Sequence, residues 1–410
     1  MPEAVLVAAK RSPIGRANKG SLVGFRPDDL AALMVQEALD AVPGLDPRRI
    51  DDLILGCGMP GGEQGMNMAR ILAVKLGYDF LPGTTVNRYC SSSLQTTRMA
   101  FHAIKAGEGS AFISAGVESI THAANGSADY IPNQDPHVIL NPVFADAEER
   151  TKQRAEQGGE WHDPREDGLL PDAYIAMGQT AENVAGLTGT SRARQDEYAA
   201  LSQNRAEAAI AAGVFEREIT PVTTPDGRTI SRDDGPRAGV TVETLSQLQP
   251  VFRKDGTVTA GNACPLNDGA AALVIVSDAL AKDLGLTPLA RIVSTGVSAL
   301  SPEIMGLGPV EASRKALALA GMSIDDIDLV EINEAFAAQV VPSADQLGVP
   351  WEKLNVHGGA IALGHPFGMT GARITTTLLN ALQTKDATFG LETMCVGGGQ
   401  GMAMVIERLS

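Results

Sequence analysis

Among groups able to serve as nucleophile or general base near neutral pH, this 410-residue chain carries only four cysteines and six histidines. Cys90 is the first to single out. It follows a short apolar segment and precedes Ser91–Ala106, whose pattern reads as a helix closed by Gly107. A thiol at the positive end of a helix macrodipole ionises more easily, which suits a nucleophile. A free cysteine is equally at home as a small buried hydrophobe, so Cys90 alone leaves both readings open.

Three further groupings carry chemistry. In NVHGGAIALGHPFGMTG (Asn355–Gly371), His357 is flanked by a glycine pair that gives no packing but lets a ligand approach the backbone closely. His357 is therefore the candidate base for a thiol, while His365, between Gly364 and Pro366, reads more readily as part of a structural turn. In LETMCVGGGQGMAM (Leu391–Met404), Cys395 ends a strand against three glycines, starting at Gly397, whose N–H groups are free to meet an oxyanion. The alternative is an inert thiol in a glycine-rich bend. Finally, Asn333 in Asn333-Glu334-Ala335-Phe336 is either a helix N-cap or a site amide that holds a water.

These residues need elements to position them, and the pattern supplies an alternation of strands and helices. Val5–Ala9, Leu53–Cys57, Thr84–Val86 and Ala111–Ala115 read as strands. Helices are expected from Pro27, over Met66–Leu76 and over Ser91–Ala106. Such alternation predicts an α/β fold with buried sheets. The order then repeats. EALDAVPGLDPRRIDDLILGC (Glu37–Cys57) parallels KALALAGMSIDDIDLVEIN (Lys315–Asn333), and TVNRYCSSSLQTTRMAFHAIKAG parallels NVHGGAIALGHPFGMTGARITTTLLNAL. We read a duplication, two similar α/β lobes. The expected division is 1–121 plus 262–284 for the N-terminal lobe, 122–261 for an inserted loop domain, and 285–410 for the C-terminal lobe. Within the loop domain one long helix is expected, Arg192–Ala212, capped by Ser191. Asp146–Asp172, with nine acids against four bases, reads as a solvated surface excursion.

Composition sets outer limits. The net charge of −16 argues against nucleic acid or an anionic membrane surface as partner. Cys57, Cys90, Cys264 and Cys395 are widely spaced without a CxxC, as expected of reduced thiols in a cytoplasmic protein. No histidine or cysteine spacing suggests a metal site. No segment has the length of a membrane span, and neither end of the sequence carries a targeting signal.

Taken together, VNRYCSSSLQ around Cys90, MGQTAENVA (Met177–Ala185), GTVTAGNACPLNDGAAA (Gly256–Ala272), NEAFA (Asn333–Ala337) and the two C-terminal glycine motifs resemble the thiolases, along the whole chain. The resemblance implies the thiolase fold, two duplicated lobes layered α-β-α-β-α with a loop domain over the substrate. It implies an acyltransferase that cleaves 3-ketoacyl-CoA with CoA to acyl-CoA and acetyl-CoA, or runs the reverse Claisen condensation, as in fatty acid β-oxidation. No permanent cofactor is implied; coenzyme A and acyl-CoA are substrates. Cys90 would carry the acyl group, His357 take its proton, and Cys395 move the proton at the α-carbon. One oxyanion would be met by His357 and a water on Asn333, the other by the N–H groups of Cys90 and Gly397. Matching positions for CoA are Met177, Arg237, Thr244, Phe252, Ala260, Cys264 and Phe336, with Arg237 available to the phosphates. A homodimer or homotetramer is implied, and whether a hydratase/dehydrogenase partner docks is left open.

Three departures stand out. Ser93 replaces a common glycine, Cys264-Pro265 replaces a commoner Ser-Gly, and Ala176 precedes Met177 where short-chain biosynthetic members carry histidine. The last favours a general 3-ketoacyl-CoA thiolase over a dedicated acetoacetyl-CoA-forming enzyme. Two rivals on the same fold are a decarboxylating condensing enzyme, disfavoured by the Cys395–Gly399 motif, and a non-catalytic lipid-binding protein, disfavoured by the intact set of four residues.

Overall fold

The computed structural model describes residues 2–123 and 141–410; of the expected loop domain, 124–140 lie outside the described residues. Nine strands of substance are β1 (Ala4–Arg11), β2 (Asp52–Gly56), β3 (Gly83–Val86), β4 (Ala111–Ser119), β5 (Asn267–Ser277), β6 (Ala290–Ala299), β7 (Leu329–Ile332), β8 (Phe389–Val396) and β9 (Gln400–Arg408). The principal helices are α1 (Pro27–Asp40), α2 (Met68–Lys75), α3 (Ser92–Ala106), α4 (Ala145–Gln157), α5 (Met177–Thr188), α6 (Arg192–Ala211), α7 (Gly308–Ala320), α8 (Ala337–Leu347) and α9 (Phe367–Thr384).

Hydrogen bonding orders the strands β7-β8-β9-β6-β1-β5-β4-β2-β3. The two halves of that order match. In the first, β2 runs parallel to β3 and β4, β4 pairs antiparallel with β5, and β5 antiparallel with β1. In the second, β7 is parallel to β8, β8 antiparallel to β9, and β9 antiparallel to β6. The place of β3 is held by a single parallel bridge from Val330 to Leu354. The halves join through a short antiparallel contact, Val5 with Arg291 and Leu6 with Ala290. The duplication is thus visible in pairing direction as well as element order.

Strand alternation divides the core. On β5, Leu273 and Ile275 enter the central core while Val274 and Val276 enter the outer one. On β9, Met402, Met404 and Ile406 face the same central core and Ala403 and Val405 the opposite outer one. Because successive side chains point to opposite faces, strands apolar on both faces must lie between two layers of helices. α1 covers the first half and α7 the second, while α3 and α9 fill the middle, with α9 touching strands of both halves. The resulting layers are α-β-α-β-α. Gly371 permits the central crossing: a Cβ there would lie 2.1 Å from the backbone N of Leu94.

Between the halves the structure departs from expectation. Besides α6, which runs Arg192–Ala211 with Ser191 as its N-cap, the segment contains α4 and α5. The apolar pattern concealed α5 because its inward face includes Gln179, Glu182 and Asn183, buried and hydrogen-bonded. The acidic stretch lies at the surface as expected, most of its acids exposed, but it is tied to the segment before α7. Trp161 Nε1 donates to Glu303 Oε2 at 2.6 Å, and Glu303 Oε1 accepts from Asp172 N at 2.8 Å.

Candidate active site

Cys90 lies in a single tight turn, Tyr89–Ser91, that leads into α3. Ser92 Oγ accepts from Arg88 N and donates to Tyr89 O, so the turn is closed by its own side chains. Tyr89 holds φ at +44°, a left-handed backbone uncommon outside glycine, immediately before the thiol. Burial pushes the Cys90 thiol up to about 11, while the N–H groups of Gly397 and of Cys90 itself pull the other way. Against the sequence-based expectation of an easily ionised thiol stands its burial, which opposes the helix end. Such a thiol needs a base.

Gly397 belongs to the hairpin turn between β8 and β9. Gly398 and Gly399 take φ of 74° and 78°, and a Cβ on Gly399 would sit 2.2 Å from Leu300 O. Cys395, fully buried two residues before the turn, has its thiol raised well above the ordinary range by burial, then by Cys90 and Cys264. Cys264 is raised to about 12 by burial and by Cys90. Three of the four thiols thus lie within one another's electrostatic reach.

The histidines require a correction. His357 Nε2 meets Thr384 Oγ1 at 2.8 Å, at the far end of α9, and burial with Lys385 and Arg205 lowers its pKa to about 4. His365, by contrast, immediately precedes Pro366, the N-cap of α9. At 1.5 Å of rise per residue, Thr370 and Thr384 are separated by about 21 Å of helix, so the two histidines serve opposite ends. Asn333 Nδ2 lies 3.3 Å from His365 Nε2, and among the described residues its side chain makes no hydrogen bond to His357. Asn333 is also not an N-cap, that place on α8 belonging to Phe336. Its Oδ1 is buried without a partner. His365, fully buried, has its pKa lowered to about 3 by burial and then by Arg373, and stands neutral.

The repeat contained the signal that the glycine argument missed. Cys90 stands two residues before the first residue of α3, and His365 two residues before that of α9. In the duplicated frame they occupy the same place, and α3 packs on α9. Two carboxylates also went unnoticed. Glu118, at the end of β4, accepts from Gly58 N, Met59 N and Gly368 N, tying the Cys90 side to the first turn of α9. Burial raises its pKa to about 7 against those bonds. Glu334 accepts from Tyr198, Ser202, Asn355 and Ile361 N, fixing the segment that leads to His365.

Of the positions expected to meet CoA, Met177, Phe252 and Phe336 share one apolar cluster with Cys395, the two rings 6.2 Å apart edge to face. Cys264 joins this group through Cys264 N to Ala335 O, 3.1 Å. Arg237 and Ala260 line an adjoining pocket with Arg16, a cation that motif reading passed over. Thr244 is exposed, its hydroxyl accepting from Thr241 N in a capping box and donating to Thr241 O. Among the described residues no His, Cys, Asp and Glu cluster is arranged for a metal, and no helix is long and apolar enough to cross a membrane.

A buried thiol under backbone N–H groups, a second thiol behind it and a neutral His–Asn pair are the equipment of an enzyme that moves acyl groups through a cysteine. Comparison with known proteins gives the family. Residues 4–279 match the thiolase N-terminal domain and 286–408 the thiolase C-terminal domain. The chain is 44% identical to acetyl-CoA acetyltransferase of Escherichia coli K12, covering all of both chains. It is 42% identical to 3-ketoacyl-CoA thiolase of Bacillus subtilis 168, covering 99% of this chain and 100% of that one. The solved structure of human mitochondrial 3-ketoacyl-CoA thiolase in complex with CoA superposes with a TM-score of 0.84 at 36% identity, covering 100% of this chain and 98% of that one. The chain belongs to the thiolase family of acyltransferases.

Proposed function

We propose that Cys90 is the acyl-carrying nucleophile, His365 its base and Cys395 the acid/base at the α-carbon, in cleavage of 3-ketoacyl-CoA by CoA and in the reverse condensation. In cleavage the Cys90 proton passes to His365 Nε2 and the sulfur bonds to the 3-keto carbon. The bond from that carbon to the α-carbon then breaks, and the α-carbon's electron pair takes the proton of Cys395, releasing acetyl-CoA. CoA gives its thiol proton to Cys395 and attacks the thioester on Cys90, whose leaving sulfur recovers its proton from His365. The N–H groups of Cys90 and Gly397 are the donors for one oxyanion. The other oxyanion is assigned to His365 Nε2, once protonated, and to a water on Asn333 Oδ1.

The observation that carries this reading is a Gly397 N–H bonded to the Cys90 thiol, with Cys395 and Cys264 within the electrostatic reach of that thiol. Incubation with radiolabelled acetyl-CoA, followed by peptide mapping, tests it: label on the Cys90 peptide, absent in Cys90→Ser, supports the assignment. Label on another thiol refutes it.

CoA is assigned to the groove of Met177, Phe252, Ala260, Cys264 and Phe336, with Arg237 for phosphate and Thr244 at its exposed rim. A homodimer or homotetramer is favoured by β3, an edge strand flanked by exposed Met66, Ile71, Val74, Phe80 and Tyr89, since an apolar edge of this kind invites a second copy. Light scattering distinguishes monomer, dimer and tetramer. The reduced, unpaired cysteines favour the cytoplasm.

A further inference from the structure

Thr370 Oγ1 lies 2.6 Å from Pro366 O and 2.7 Å from His365 Nδ1. A hydroxyl has one proton to give and a carbonyl can only accept, so the short contact to Pro366 consumes that proton. Towards His365 the Thr370 oxygen is left as an acceptor, and Nδ1 must carry the imidazole hydrogen. A neutral ring has only one N–H, so Nε2 holds the lone pair. The Asn333 amide nitrogen lies 3.3 Å from Nε2 and 3.5 Å from Nδ1, and its Oδ1 is buried without a partner. The state of the ring thus follows from a threonine one helical turn beyond the histidine.

We propose that Thr370 is a positioning residue that fixes the tautomer of His365. The proposal rests on the reading of His365 as the base. With the opposite tautomer Nε2 would carry hydrogen and have no means of accepting the Cys90 proton. Pro366 supplies the reference point, because its carbonyl at the N-cap of α9 is fixed by the helix that follows. Thr370 therefore uses the helix frame, which cannot ionise or rotate, to set a ring that could do either.

Thr370→Val keeps the side-chain shape and removes the hydroxyl, whereas Thr370→Ser restores it. With acetoacetyl-CoA and CoA as substrates, Thr370→Val is expected to lower kcat by about 100-fold while KM for CoA stays within about twofold, as when an imidazole loses the partner that orients it. The rate of single-turnover acetylation of Cys90 by acetyl-CoA falls in parallel, and Thr370→Ser recovers both. A Thr370→Val enzyme within threefold of the parent overturns the proposal, as does a loss that Thr370→Ser fails to rescue while its melting temperature matches the parent. Acetylation that survives intact in His365→Asn instead overturns the reading of His365 as base, a separate failure.

Discussion

Ser93 Oγ accepts the backbone N–H of Ala372 at 2.9 Å, tying the first turn of the helix behind Cys90 to the second turn of the helix behind His365. The two reactive entrances therefore share one rigid support. Next to this bond the helices nearly touch: a methyl on Gly371 would collide with Leu94 N, a backbone atom with no rotamer to change. Gly371→Ala is expected to destabilise the fold by about 3 kcal/mol, at the upper end of overpacking costs. Activity below the lowered melting temperature falls as well, because the two entrances part. An unchanged denaturant midpoint would show the crossing to be looser than described.

His365→Asn and His357→Asn separate the two histidines. The first is expected to lose thiolysis by about 10²–10⁴-fold, the usual weight of a general base. The second, bonded only to Thr384 at the remote end of α9, keeps activity within about threefold, as for changes away from the reacting atoms. Steady-state thiolysis of acetoacetyl-CoA decides, and the opposite ranking would restore His357 as base.

His357 also makes a pH prediction. Its folded pKa, about 4, lies below the ordinary 6.5. Between those values the unfolded chain binds a proton that the folded one refuses, so this group's contribution to stability is full above pH 6.5 and lost as pH falls towards 4. His357→Asn lacks that penalty. Its melting temperature relative to the parent should rise on going from pH 7 to pH 5. A difference constant across that interval would mean the ring is not desolvated as placed.

Cys395→Ala divides the reaction. In acylation of Cys90 from acetyl-CoA, Cys395 only returns a proton to the departing CoA thiolate, a weak base that leaves readily without help, whereas condensation must also remove an α-proton. The variant is expected to accept label at Cys90 at a rate within about threefold of the parent and to form acetoacetyl-CoA at least about 10²-fold more slowly, the usual range for a missing acid/base. Loss of labelling together with condensation would assign Cys395 to acylation instead.

Arg237 and Arg16 line the same pocket, and among the described residues neither is in a salt bridge. The positive charge of Arg16 helps to lower the pKa of Arg237, after burial. Two cations left facing each other in a chain of net charge −16 call for an anion. Arg237→Ala is expected to raise KM for CoA by about tenfold with little change in kcat, as loss of uniform binding does. With pantetheine, which lacks the phosphates, parent and variant should behave alike. A tenfold loss with pantetheine too would move Arg237 away from phosphate recognition.

The chain's order of strands and helices and its duplication were legible without coordinates, and three of the positions proposed for the chemistry could be singled out there. Alternating apolar runs, glycine stops and the repeated Ile-Asp-Asp turn are local features, and local features survive in a string of letters. Cys90, Cys395 and Asn333 stand out in the sequence because each closes a strand or opens a helix. His365 does not, since its competitor His357 sits eight residues away among equally permissive glycines. Only the fold separates them, sending one to each end of α9. Burial is likewise a property of the assembled layers: no letter near Cys90 announces that desolvation will oppose the helix end at its thiol. The carboxylates Glu118 and Glu334 bind partners distant in sequence, Gly368 for the first and Tyr198 and Ser202 for the second. Sequence alone determined which elements form and which groups can react. The tertiary structure decided which of them meet, because contact, solvent exclusion and the direction of a hydrogen bond depend on chain segments that sequence order keeps apart.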